Sequence, residues 1–237
     1  MSVPVMNTTV DRCELKSLHT CTMIHKFDQV PALTGLAASL EAATTNLLAR
    51  QTAYTAKTKA LIKLRVEVRY TDLIADQGVR MSLRMAEIAD GKPGGRVAKT
   101  LFPNGTTPII RPIGGTQVKE MRGLEGRYKE VEALFPAAPD ERLKIEALRQ
   151  RYEAALQGRL VGMEECAQAR AARNLAKEEF LDVFTEVANR IRAAFPRDKK
   201  TQALFFLRDK AVSAVEEGEG EEDEEVEEEG EATAEAR

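Results

Sequence analysis

Apolar side chains recur every seven residues along the first third of the chain, in a column of Leu33, Leu40, Leu47, Tyr54, Leu61, Val68 and Ala75. Leu36, Ala43 and Leu64 stand three residues after members of that column. A seven-residue repeat kept over so many turns belongs to a helix packed along a seam with another helix. The spacing therefore predicts a long helix from about Leu33 to Asp90. Arg50, Lys57 and Thr71 break the second column, which favours a bundle over a strict two-stranded coiled coil. One stretch competes with this reading, because Leu64-Arg65-Val66-Glu67-Val68-Arg69-Tyr70 alternates apolar and polar as a half-buried strand does. No Gly or Pro lies between Leu36 and Gln77, so nothing turns the chain into or out of a sheet. Helix is the better reading.

A second long helix is predicted from Asp140, which caps it, to the stop at Pro196. Its stripe of three- and four-residue steps includes Leu148, Tyr152, Ala155, Met163, Cys166, Ala169, Ala176, Phe180, Val183, Val187 and Ile191. Between the two helices, residues 91–115 hold six of the fifteen Gly and four of the nine Pro. That connection also carries Leu101, Phe102, Ile109, Ile110 and Ile113, which are expected to pack over a helix end. Thr116 then caps a shorter helix reaching about Phe135, and Ala203-Leu204-Phe205-Phe206-Leu207 reads as a short docking helix. Leu101-Phe102-Pro103, Leu134-Phe135-Pro136 and Ala194-Phe195-Pro196 look like three helix ends closed alike, by a buried Phe and a Pro stop. Residues 1–31 show no clear period and read as a polar leader. The expectation is an all-α fold, an elongated antiparallel helical bundle over residues 32–215 built on two long helices.

Charge changes the picture at the end of the chain. Of 35 Lys and Arg and 38 Asp and Glu, residues 216–237 take thirteen acids and one base, a net of −12. The remaining 34 bases and 25 acids give residues 1–215 a net of +9. A Glu/Gly run of this kind buries no apolar surface, so 216–237 is expected to be a disordered acidic tail. Tethered to a basic body, it has three readings: a solubilising brush, a cover for that body, or bait for a basic partner. No window approaches the ~18 consecutive apolar residues of a membrane helix, and the start of the chain lacks the basic flank and apolar core of a secretory signal. Three Cys without framework spacing fit free thiols. The expected location is the cytoplasm.

Candidate chemistry is sparse. Cys13, His19, Cys21 and His25 bring four possible Zn²⁺ ligands into thirteen residues, but C-x5-H-x-C-x3-H is not a zinc-finger spacing, and no metal site is assigned. No nucleophile elbow is present, and Glu164/Glu165 and Glu178/Glu179 are adjacent pairs that splay to different helix azimuths. No catalytic or cofactor-binding residue is assigned. Gly114-Gly115-Thr116 offers free backbone N–H groups to an anion, although the same arrangement simply starts a helix. The densest constellation is basic. Lys57, Lys59, Lys63, Arg65 and Arg69 face one acid, Glu67, and are the candidate polyanion-binding residues. Arg80 and Arg84 extend the series, with Asp76 and Glu87 at pairing distance along a helix. Tyr54 and Tyr70 are the only aromatics nearby, which disfavours single-strand recognition.

These features predict a non-catalytic cytoplasmic helical scaffold or adaptor, or a self-associating structural protein, whose partner is another protein or a second copy. The alternative is a nucleic-acid-associated protein that uses the basic helix face, modulated by the acidic tail. No small-molecule substrate and no membrane role follows from the residues.

Overall fold

The computed structural model describes residues 3–207, which are helical with no strand among them. In chain order the helices are α1 (Val10–Lys26), α2 (Leu36–Asp90), α3 (Arg96–Leu101), α4 (Thr107–Ile110), α5 (Gly115–Val131), α6 (Ala138–Ala194) and α7 (Lys199–Leu204). Both long helices are present. The segment Leu64–Tyr70 lies inside α2, as the absence of turn residues required. The acidic segment 216–237 lies outside the described residues. The chain forms two compact units, residues 3–51 with 173–207 and residues 52–172, and α2 and α6 contribute to both.

In the first unit, α2 and α6 run antiparallel beside α1 and α7. The core gathers Ile24, Leu33, Leu40 and Leu47 against Phe180, Phe184, Val187, Ile191, Phe205 and Phe206. The docking element is shorter than expected: α7 ends at Leu204, and Phe205 and Phe206 enter the core just after it. The Thr20 hydroxyl donates to the Phe205 carbonyl at 2.8 Å, and the His19 ring meets the Leu204 carbonyl at 2.9 Å.

Helix α1 corrects the reading of 1–31 as a leader without a period. Its buried positions are Cys13, Lys16, Ser17, Thr20, Cys21 and Ile24, a regular three-one-three spacing. The period is there, but Ser, Thr, Lys and Cys carry it, so a scan for large apolar residues passes over it. Three of these groups have hydrogen-bond partners outside α1: Ser17 with Thr44, Thr20 with the Phe205 carbonyl and Cys21 with the Ala37 carbonyl. Ser17 meets the Thr44 hydroxyl at 2.6 Å, and Lys177 reaches in from α6 to donate to the Thr8 carbonyl at 2.5 Å. Thr9 caps the helix by accepting from the Arg12 amide at 3.3 Å.

In the second unit, the core collects Val79, Ala86, Val97, Leu101, Ile109, Met121, Leu124, Tyr128 and Ile145, with Val68, Val118 and Tyr152 beside it. Helix α6 again runs antiparallel to α2, since Glu67 meets Arg151 while Lys57 meets Glu165. The Gly/Pro-rich connection is more ordered than its composition promised, because α3 and α4 form within it. Leu101, Phe102 and Ile109 are buried as expected, whereas Ile113 is 77% exposed. Phe102 and Phe135 are buried close behind α3 and α5, and Phe195 packs on the core of the first unit behind α6. Two of the three Phe-Pro ends thus close on a buried Phe, and the third on a partly buried one.

Two further differences have simple causes. Thr116 does not cap α5; Gly114 does, at φ 68°, a left-handed conformation that glycine tolerates, and its N–H donates to the Tyr152 hydroxyl at 2.8 Å. On α6 the inward position is Gly162 and not Met163, which is 47% exposed. Leu64 of α2 fills the space over Gly162, where a Cβ would come within 2.5 Å of its Cδ1.

Two buried polar groups of this unit are paired within it. Tyr128, fully buried, shares a hydrogen bond with Ser82, and burial pushes its hydroxyl pKa up to about 12. The Arg149 guanidinium donates to Glu125 at 2.5 and 3.3 Å and to Glu153 at 2.9 Å.

Asp90 ends α2 and caps α3, accepting the Val97 and Ala98 amides at 3.0 and 2.9 Å. Those amide hydrogen bonds hold its carboxyl below the ordinary carboxylate value. A lowered pKa means that the cap is intact above the ordinary value, near ~4, and is lost as pH falls through the folded value. Hydrogen exchange at Val97 and Ala98 is expected to stay slow down to the ordinary carboxylate range and to quicken only below it. Asp90→Asn should quicken both amides at neutral pH. Unchanged exchange in that variant would show that Asp90 does not protect the start of α3.

Candidate interaction surface

The inward side of α2 in the second unit is set by Leu61, Val68, Thr71, Ala75, Val79, Ser82 and Ala86, all buried. The seven-residue column is therefore an interior feature, with Tyr54 as its half-buried member. Thr71, which broke the pattern on paper, is fully buried and returns its hydroxyl proton to the Glu67 and Val68 carbonyls.

At 3.6 residues per turn, the residues midway between these inward positions point away from the core. They are not polar alone. Ile62 is 55% exposed, Val66 60%, Tyr70 49%, Leu73 52%, Met81 52% and Ile88 71%. Cations interleave with them, for Lys59, Lys63, Arg65, Arg69, Arg80 and Arg84 are all exposed. From Lys59 to Ile88 the only exposed acid is Glu67, and Arg151 of α6 takes its carboxylate at 3.1 Å.

The five candidate polyanion-binding residues separate in this setting. Lys57 is engaged by Glu165 at 2.8 Å. Lys59, Lys63, Arg65 and Arg69 form no ion pair among the described residues. By helical spacing Lys59, Lys63 and Arg69 share the face of Val66, while Arg65 stands a little over a quarter-turn away. Asp76 and Glu87 make no ion-pair contact with Arg80 and Arg84, although the Arg80 charge is near enough to Asp76 to oppose the effect of its burial. Asp76 instead accepts from Gln117 at 2.8 Å, and burial raises its pKa.

Sequence reasoning passed over the exposed apolar stripe, although its trace was visible. The alternation Leu64, Val66, Val68, Tyr70 that imitates a strand is a helix apolar on two opposite sides. Leu64 and Val68 turn to the core, whereas Val66 and Tyr70 turn outward.

The Cys/His cluster is dispersed. Cys13 and Cys21 are buried, and burial raises both thiol pKa values. His19 contacts the Leu204 carbonyl, and His25 lies 3.2 Å from Glu41. Among the described residues, no three His, Cys, Asp or Glu side chains gather to hold a metal. Cys166 is half-buried beside Thr58. One thiol, Cys166, is therefore expected to react with a thiol reagent in the native protein and three in denaturant. Rapid native labelling of Cys13 or Cys21, read by peptide mass, would contradict the buried α1 face.

The acid pairs are also dispersed into separate roles, Glu165 on Lys57 and Glu179 on Asn46 at 3.2 Å. At the start of α5 a solvent-open groove of about 830 Å³ includes Gly114, Lys119, Arg122 and Arg159, and Arg122 is paired with Glu153 at 3.4 Å.

Fold and surface together define an all-α chain with an apolar and cationic face left uncovered on one long helix. Compared with known families, with curated proteins and with solved structures, the chain matches none. Among the described residues, no helix is long and apolar enough to cross a membrane.

Proposed function

We propose that the protein is a non-catalytic cytoplasmic scaffold or adaptor that docks a protein partner on the outward face of α2 between Lys59 and Ile88. The observation that supports this most directly is the apolar stripe, six large side chains about half exposed or more on one helix face. Scattered exposed apolar residues are ordinary on a soluble protein, but an aligned set is characteristic of interaction sites. The seven-residue column, which was the reason to expect self-association, is occupied within the fold and lends no surface to it.

A photo-crosslinking residue in place of Val66, within the full chain, tests the proposal. The expected result is a discrete protein adduct that survives nuclease, disappears in a Leu73→Asp background and is absent when the crosslinker replaces exposed Glu178. Adducts of the same pattern from both positions would refute it.

The second reading, nucleic-acid association, is favoured by the same run of unpaired cations. It predicts binding that falls steeply with salt, as counterion release requires. Removing residues 216–237, which carry a net of −12, should then strengthen binding to a polyanion at low salt. Equal binding by the truncated and full-length chains would end the idea of a covering tail.

A further inference from the structure

We infer that the occupant of the α2 face is an acidic, amphipathic helix of a partner protein, an assignment that rests on the docking role proposed above. Ile62, Val66, Tyr70, Leu73, Met81 and Ile88 fall on a line whose positions, completed by Gln77 and Arg84, advance by three or four residues. That advance is the line one helix offers to another packed alongside it. From Ile62 to Ile88 it covers 26 helical steps, ~39 Å at ~1.5 Å each, enough for a partner helix of about seven turns.

Charge selects the kind of helix. The stripe is flanked by Lys59, Lys63, Arg69 and Arg80, with Arg84 on the line itself; none of them makes an ion-pair contact within the described residues, and the part-buried Asp76 near Arg80 is engaged by Gln117. A partner must therefore bring apolar residues to Ile62–Leu73 and carboxylates to Arg80 and Arg84. A polar residue on such a line also fixes register, since only one alignment gives Arg84 an acid. A second copy meeting through the same face would set these cations against themselves. A nucleic acid would use the cations but leave Ile62, Val66 and Leu73 against phosphate. Tyr70 is the one aromatic ring on the stripe, and Arg151 stands 5.2 Å over one of its faces, which leaves little to stack on. An anionic bilayer calls for a broad apolar face, whereas this one is a single line interrupted by Gln77 and Arg84. The chain's own segment 216–237 has the acids but only one large apolar residue, Val226, to set against six.

The test uses the full chain and two fluorescein-labelled synthetic helices of 28 residues. Both carry Leu at alternating three- and four-residue steps; one has Glu at every flanking position and the other Lys. By fluorescence anisotropy the Glu probe is expected to bind and the Lys probe not to bind. Val66→Ser with Leu73→Ser should weaken the Glu probe at least tenfold, and Arg80→Gln with Arg84→Gln should do likewise. All four positions are exposed, so circular dichroism should show an unchanged fold in these variants. Failure of the Glu probe to bind, equal binding of the two probes, or indifference to either pair of substitutions would overturn the assignment. Stripe-dependent binding of a 30-residue single-stranded DNA or of vesicles with 30% phosphatidylserine, with none of the Glu probe, would overturn it in favour of that ligand class. A Val66 protein adduct without Glu-probe binding would retain the docking role and reject the acidic helix. Loss of both would reject the docking role itself.

Discussion

Arg149→Met is expected to cost about 2–4 kcal/mol of stability, measured by urea unfolding, because it leaves a largely buried carboxylate without its cation. The Arg149 side chain is 9% exposed and that of Glu125 12%, so neither has much water to fall back on. The two donor contacts to Glu125 are joined by a third to Glu153, whose side chain is 49% exposed and can return to solvent. The loss therefore concentrates on Glu125. Replacing both partners, as Arg149→Met with Glu125→Leu, should recover most or all of the stability, since an apolar pair of similar volume has no desolvation to offset. A double variant as unstable as the single one would show that Arg149 acts through its packing rather than its charge. The pair also illustrates a general asymmetry, that breaking a buried ion pair costs far more than never having built it.

Phe184→Ala should be comparably severe in the first unit, at about 3–5 kcal/mol, the usual cost of emptying a phenylalanine site in a close-packed core. Phe184 is 1% exposed and its ring lies 5.8 Å from that of Phe180 and 6.4 Å from that of Phe206. Phe206 belongs to the segment after α7, so the substitution opens the place where that segment is anchored. Phe184→Leu, nearer in volume, is expected to cost under about 1.5 kcal/mol. Proteolysis between α6 and α7 should quicken in Phe184→Ala and stay slow in Phe184→Leu. Equal losses in the two variants would mean that ring packing, and not filled volume, holds the segment. Folded domains are stable by only about 5–15 kcal/mol, so either Arg149→Met or Phe184→Ala takes a large share.

Most of the helical architecture was legible because it depends on local periodicity. The column from Leu33 to Ala75 and the stripe through Tyr152, Phe180, Val187 and Ile191 both report which side of a helix is apolar. Gly- and Pro-rich chemistry located the break between the long helices for equally local reasons. Less was legible where burial is decided by a partner. Nothing in Cys13, Lys16, Ser17, Thr20 and Cys21 announces an interior face. Ser17, Thr20 and Cys21 can be buried because Thr44 and the carbonyls of Phe205 and Ala37 stand where α1 needs them. Met163 looked like a core residue by spacing, yet Leu64 arriving from α2 fits over Gly162 and turns Met163 outward.

The candidate surface divides in the same way. Its cations were evident along the chain, and so was the odd alternation from Leu64 to Tyr70. Which of two apolar sides of a helix becomes core is not a local property, however, because each has enough hydrophobic area to be buried. Packing in the second unit covered Leu61, Val68 and Ala75 and left Ile62, Val66 and Leu73 in solvent. Hydropathy along the chain established the helices and the placing of charge. Tertiary packing alone chose the face that stays open, since burial is a competition between surfaces for the same neighbours.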